Sequence, residues 1–228
     1  MIRQPVGVIL CCLGALAVMG CANSQLPSWF PFRDKPDHLD GVPAPRDRIE
    51  SLRKLTEKAE STPPDQKATI AQDLVNQIQR EEDPLIRAEI IRALARYPSP
   101  AGDAVLRAAL NDPAADVRVI ACGAWGNRGG PEAAALLAGI LSSDIDRDVR
   151  MAAARALSKS RDPAAIAALG NVLEDNDPAM QYCAVRSLQG ITGENLGNDV
   201  DRWRQYAKEG KLKPAESSSF AGRMGRLF

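Results

Sequence analysis

A chain of 228 residues has room for one ordinary domain plus tails, and its 29 basic and 29 acidic side chains cancel. That balance speaks against nucleic acid as a partner, while scarce aromatics beside abundant alanine favour closely packed helices over a β-rich core. Of the five cysteines, Cys11, Cys12 and Cys21 crowd the start and Cys122 and Cys183 stand alone, which is not the framework of a disulfide-stapled domain.

Residues 1–20 read as an export signal. Arg3 and the terminal amine make a small positive start, and Val6 to Met19 is an apolar run of 14 residues, shorter than the roughly 20 a transmembrane helix needs. The junction Val18-Met19-Gly20-Cys21 resembles the lipobox of bacterial lipoproteins, although Met19 is larger than the usual small residue. The resemblance implies cleavage after Gly20, diacylation of Cys21 and a lipid anchor in the cell envelope. With Ala22 rather than Asp after the cysteine, it implies the outer membrane in a diderm cell. An ordinary secretory signal and a retained anchor are the alternatives.

Residues 21–45 read as a lipidated, proline-rich tether. Pro27, Pro31, Pro36, Pro43 and Pro45 rule out a continuous helix. Extended as polyproline, such a stretch reaches roughly 70 Å. Trp29, Phe30 and Phe32 suit either the membrane interface or a local cluster in the linker.

Residues 46–210 read as helix after helix. A first helix over 46–60 carries Arg48, Arg53, Lys54, Glu57 and Lys58, the polar outer face that a terminal cap needs. Helices then pair as 65–80 with 84–97, 101–111 with 115–127, 131–142 with 146–159, and 163–174 with 178–190. Asp112-Pro113, Asp162-Pro163 and Asp177-Pro178 each place an acidic N-cap before a proline whose missing N–H costs nothing at the first helical position, and Gly130-Pro131 does the same with glycine.

The second helix of each pair repeats. Arg87, Arg118, Arg150 and Gln181 are spaced 31, 32 and 31 residues apart. Ile86, Val117, Val149 and Met180 precede them, and Ile90, Ala121, Ala153 and Ala184 follow three positions on. Ala93-Leu94, Ala124-Trp125, Ala156-Leu157 and Ser187-Leu188 complete a stripe on one helical face, which predicts burial. Six positions before each anchor stands an acid: Glu81, Asp112, Asp144 and Asp175.

Asp-Pro-x-x-x-Val-Arg followed by alanines and Ala-Leu resembles the HEAT repeat, in the short bacterial form related to bilin lyases, over roughly residues 65–191. The resemblance implies an all-α fold, an α-solenoid of helical pairs with first helices on the convex side and second helices lining the concave side. It also implies a ladder of acid–arginine pairs between adjacent repeats, read at Glu81/Arg87, Asp112/Arg118 and Asp144/Arg150 and ending at Gln181. Exposed rungs of this kind contribute about 0–1 kcal/mol each. Thr192-Gly193 ends the last pair, and a helix near 199–209 with Trp203 and Tyr206 on one face covers it. Residues 211–228 read as a disordered tail, with Phe220, Met224, Leu227 and Phe228 as a short docking helix in the alternative.

Few residues here suggest chemistry. The one histidine, His38, falls in the tether, so His-based zinc sites and triads are not expected in the folded region. There is no P-loop, and Gly126-Asn127-Arg128-Gly129-Gly130 reads as a helix end and turn. Cys122 and Cys183 lie two repeats apart, roughly 16–20 Å at helix-packing distances, too far for a disulfide. No cofactor and no metal are expected.

What remains is a surface. Residues one, five and nine after each anchor point away from the stripe: Ala88, Arg92 and Arg96; Val119, Gly123 and Asn127; Met151, Arg155 and Lys159; Tyr182, Arg186 and Gly190. Basic residues are frequent among them and acids absent, so stacking predicts a basic row on the concave wall. Arg92, Arg96, Met151, Arg155, Lys159, Tyr182 and Arg186 are the candidate partner-binding residues, with an acidic protein segment as ligand. The expected function is a membrane-anchored scaffold for a protein partner. Alternatives are a lyase-like or small-molecule-handling accessory protein and a structural spacer of the cell envelope.

Overall fold

The computed structural model describes residues 43–160 and 162–209. The export signal, Cys21, the tail from Lys211 and all but the last residues of the tether lie outside the described residues. Ten helices follow one another: α1 (Pro45–Lys58), α2 (Pro64–Ile78), α3 (Pro84–Leu94), α4 (Pro100–Ala109), α5 (Ala115–Arg128), α6 (Gly130–Ser143), α7 (Arg147–Leu157), α8 (Pro163–Val172), α9 (Pro178–Thr192) and α10 (Val200–Glu209). Among the described residues there is no strand. None of these helices is long and apolar enough to cross a membrane.

The helices form two layers. Second helices α3, α5, α7 and α9 stack in a row, with α1 added at the front. First helices form the other row, where α2 meets α4, and α8 lies between α6 and α10. Among the described residues the stack therefore opens with a helix of the second row and closes with one of the first. All sixteen positions of the repeated stripe are at most 5% exposed, from Ile86 and Leu94 at one end to Met180 and Leu188 at the other. The 31–32-residue period thus places one apolar face per repeat in a continuous core.

Proline opens α1, α2, α3, α4, α8 and α9 and stands second in α6, where a missing N–H leaves no bond unmade. Asp162 and Asp177 cap α8 and α9 by accepting the Ala164 and Ala179 N–H groups at 2.8 and 2.9 Å. Asp112 does not cap α5. The helix starts two residues later behind Ala114, which has no capping side chain. Asp112 instead accepts the Ala114 N–H, as Glu81, Asp144 and Asp175 accept those of Asp83, Asp146 and Asp177. The acid six positions before each anchor is thus a turn-former, and the cap belongs to the residue two further on, which is Asp in three repeats and Ala in one. The glycine cap of α6 is Gly129 rather than Gly130; both have positive φ, 67° and 81°, as the sharp turn between α5 and α6 requires.

The acid–arginine ladder exists with a shifted register. Two of the three anchor arginines reach the acid of the following repeat, not that of their own: Arg87 pairs with Asp112 and Arg118 with Asp144. The same rung extends forward, because Arg48 pairs with Glu81. Arg48 therefore faces back into the stack, and exposed Arg53 reaches Glu89, while Lys54, Glu57 and Lys58 stay exposed as a cap requires. The Arg118–Asp144 side chains are only 12% and 6% exposed, so the rungs are not the surface pairs expected. Among the described residues Arg150 makes no ion pair. The junction between α7 and α9 is bridged by the exposed pair Arg147–Asp177 at 2.6 Å instead. Gln181 keeps the part of the anchor's role that serves its own repeat, donating to the Asp175 carbonyl at 2.7 Å.

At the C-terminal end Gly193, at φ 72°, closes α9 by donating to the Gln189 carbonyl. Trp203 is fully buried, its indole N–H donates to the Gly197 carbonyl at 2.9 Å, and Tyr206 packs edge-on against it at 5.7 Å. Both aromatics cover the last repeat, as their spacing implies.

Candidate functional site

The second helices pack one on the next from α1 to α9, whereas α4 and α6 of the first row barely touch. A Cβ built on Gly126 of α5 stands 2.9 Å from the Ala156 Cβ of α7 and 3.0 Å from its Cα. The first row opens instead into clefts, one of about 530 Å³ between α6 and α8, lined by Leu141, Ala168, Asn171 and Arg150. Closer packing along the second helices is what the inner side of such a stack requires.

The fifth position after each anchor is exposed in every repeat: Arg92, Gly123, Arg155 and Arg186 form one row across α3, α5, α7 and α9. The ninth, Arg96, Asn127, Lys159 and Gly190, is exposed as well. At the first, Tyr182 is 54% exposed and Met151 and Val119 are half-buried, but Ala88 is buried. One turn nearer the helix starts, exposed Asp116 and Asp148 border the face. Acids thus sit at the N-terminal edge and cations towards the C-terminal ends, the arrangement the helix dipole favours.

The cations of this face are not equivalent. Glu89, 5% exposed, accepts Arg53 Nε and Nη2 at 3.0 and 2.9 Å and Arg92 Nη1 at 2.6 Å. Arg96 pairs with Glu60 at 2.6 Å. In the C-terminal half the partners are neutral. Arg155 Nη2 lies 3.9 Å from the Met151 sulfur, Arg186 Nη1 donates to Gln189 Oε1 at 2.9 Å, and Lys159 Nζ donates to Asn127 Oδ1 at 2.6 Å. Arg155, Lys159 and Arg186 face solvent on neutral partners, whereas Arg92 and Arg96 are each ion-paired with an acid. The sequence reading missed Glu89 and Glu60, although Glu89 stands three residues before Arg92, the spacing at which helical side chains meet.

Cys122 and Cys183 are free and buried, and burial, reinforced by the Asp144 carboxylate, pushes the Cys122 thiol up to about 12. That thiol is a small core residue without nucleophilic character at neutral pH.

The sequence matches the family described as HEAT repeats over residues 71–158 and 140–200, together more than half of the chain. The chain belongs to the HEAT-repeat family. Two crystal structures of engineered proteins are similar to this HEAT-repeat chain at 23% identity each. One has a TM-score of 0.46, with 71% of this chain and 89% of that chain covered; the other has 0.44, with 74% and 83%. No curated protein matches it.

Proposed function

We propose that this HEAT-repeat protein is a membrane-anchored scaffold, not an enzyme, whose inner face holds an acidic segment of a protein partner. The carrying observation is the trio Arg155, Lys159 and Arg186, exposed on the inner row and resting on neutral groups only. A solenoid offers such a surface without any reactive constellation, and a planar guanidinium suits a carboxylate. The anchor rests on the sequence: a short apolar run, a Gly-Cys junction and a proline-rich linker, which together suit a lipid on Cys21 and a folded domain standing off the membrane of the cell envelope.

Two measurements test this reading. Mass spectrometry of the mature N-terminus should find a diacylated Cys21; an unmodified cysteine or another N-terminus ends the anchoring claim. A photocrosslinker placed at Tyr182 should capture, in a salt-sensitive way, an acidic peptide of one discrete protein. The same group at Gln72, exposed on α2 in the other row, should not. Equal capture from both positions, or a captured peptide without acids, removes the inner-face reading.

A further inference from the structure

We infer that the inner face binds over its C-terminal half alone, and that its ligand is an extended acidic segment carrying one apolar side chain, laid across α5, α7 and α9. This rests on the inner-face reading above and narrows it. The N-terminal half answers its own charge. Glu89 lies buried between Arg53 and Arg92, and Glu60 holds Arg96, so an incoming carboxylate there would have to displace an acid already in place. In the C-terminal half Arg155, Lys159 and Arg186 have, among the described residues, no acid to give up.

The shape of this half agrees with its charge. Gly123 carries no side chain, and a Cβ there meets nothing within 4 Å, so the row is open at its α5 end. Tyr182, 54% exposed, and half-buried Met151 flank the two guanidiniums on the side of the helix starts. They offer an apolar strip beside a cationic one. Asp116 and Asp148 border that strip and repel carboxylates, which fixes the acids of the ligand on the other side. Neighbouring helices stand about 8–10 Å apart. An extended chain rises about 3.3 Å per residue, so carboxylates three residues apart match Arg155 and Arg186.

The probe is a fluorescein-labelled extended peptide with aspartates three residues apart and one phenylalanine, titrated by anisotropy against the soluble chain lacking the export signal and Cys21. The double variant Arg155→Gln/Arg186→Gln should weaken binding about tenfold. Arg92→Gln/Arg96→Gln should leave it within about twofold, within the range of exposed charges already paired. Gly123→Arg adds a third guanidinium to the row in open space and should tighten binding about threefold or more. All five positions are surface positions, and matching circular dichroism spectra check the fold of each variant. If both double variants weaken binding equally, the inner-face reading stands and the restriction to the C-terminal half falls. If neither changes it, or if the wild-type chain fails to bind up to about 1 mM, both fall. If anionic vesicles bind with the same dependence on Arg155 and Arg186 while the peptide does not, the surface is a lipid contact and the inference is overturned.

Discussion

Arg118 ties two repeats together at once. Its Nε and Nη2 donate to Asp144 of the next repeat at 2.8 and 3.0 Å, while Nη1 donates to the Asp112 carbonyl of its own turn at 2.9 Å. Removing one partner of a pair this enclosed strands the other in a poorly solvated place. Arg118→Ala should therefore cost about 3 kcal/mol in urea unfolding. The exposed pair Arg147–Asp177, at 52% and 29% side-chain exposure, provides the contrast: Arg147→Ala should cost less than about 1 kcal/mol. Equal losses would mean that the buried rungs have no special role.

The same rungs set the response to acid. Burial raises the carboxyls of Asp112 and Asp144, but hydrogen bonds from Arg87 and Arg118, and from the backbone, outweigh it and leave both below the ordinary value. A depressed carboxyl contributes stability that is complete above its unfolded value near about 4 and is lost as pH falls through the folded one. Urea midpoints measured from pH 7 downward should hold until about pH 5 and then drop. Asp144→Asn should start lower at pH 7 and fall less steeply in the acid range. A parallel curve for the variant would remove Asp144 from the account.

Glycine substitutions should separate contact from conformation. At Gly126 an added methyl meets the Ala156 Cβ, Cα and carbonyl at 2.9, 3.0 and 3.1 Å, and backbone cannot step aside cheaply. Gly126→Ala should destabilise by about 1–3 kcal/mol. Gly139 lies exposed within α6 with nothing within 4 Å, so Gly139→Ala should stabilise by up to about 1 kcal/mol through helix propensity. Thermal unfolding of both variants checks the opposite signs.

Cys122, with its thiol pushed up to about 12 and no solvent exposure, should resist iodoacetamide at pH 8 in the folded protein and react once urea unfolds it. Peptide mapping after alkylation reads this directly. Rapid labelling of native Cys122 would contradict the core register of α5.

The stripe was legible because burial imposes the same apolar spacing on every repeat, and four copies at 31–32 residues leave little freedom in the alignment. The rungs were half legible. The sequence shows an acid and an arginine in the first three repeats, but which acid an arginine meets depends on the stacking offset, and Arg87 reaches forward to Asp112 rather than back to Glu81. The helix cap at Asp112 misled for the same reason: an acid before proline fits a cap, yet this one is held by Arg87 and the Ala114 N–H. On the inner face the cations were visible and their neutralisation was not. Arg96 meets Glu60 across 36 residues of chain, a pairing that no local pattern announces.

The shift from a buried rung to the exposed Arg147–Asp177 pair falls between α7 and α9, the two helices that carry Arg155 and Arg186. Arg155 and Arg186 thus stand on either side of the junction in the second row where the tie between repeats is an exposed pair. Whatever alters the Arg147–Asp177 pair therefore also bears on the spacing between the two guanidiniums, so a change at that exposed bridge reaches the cationic row without touching it.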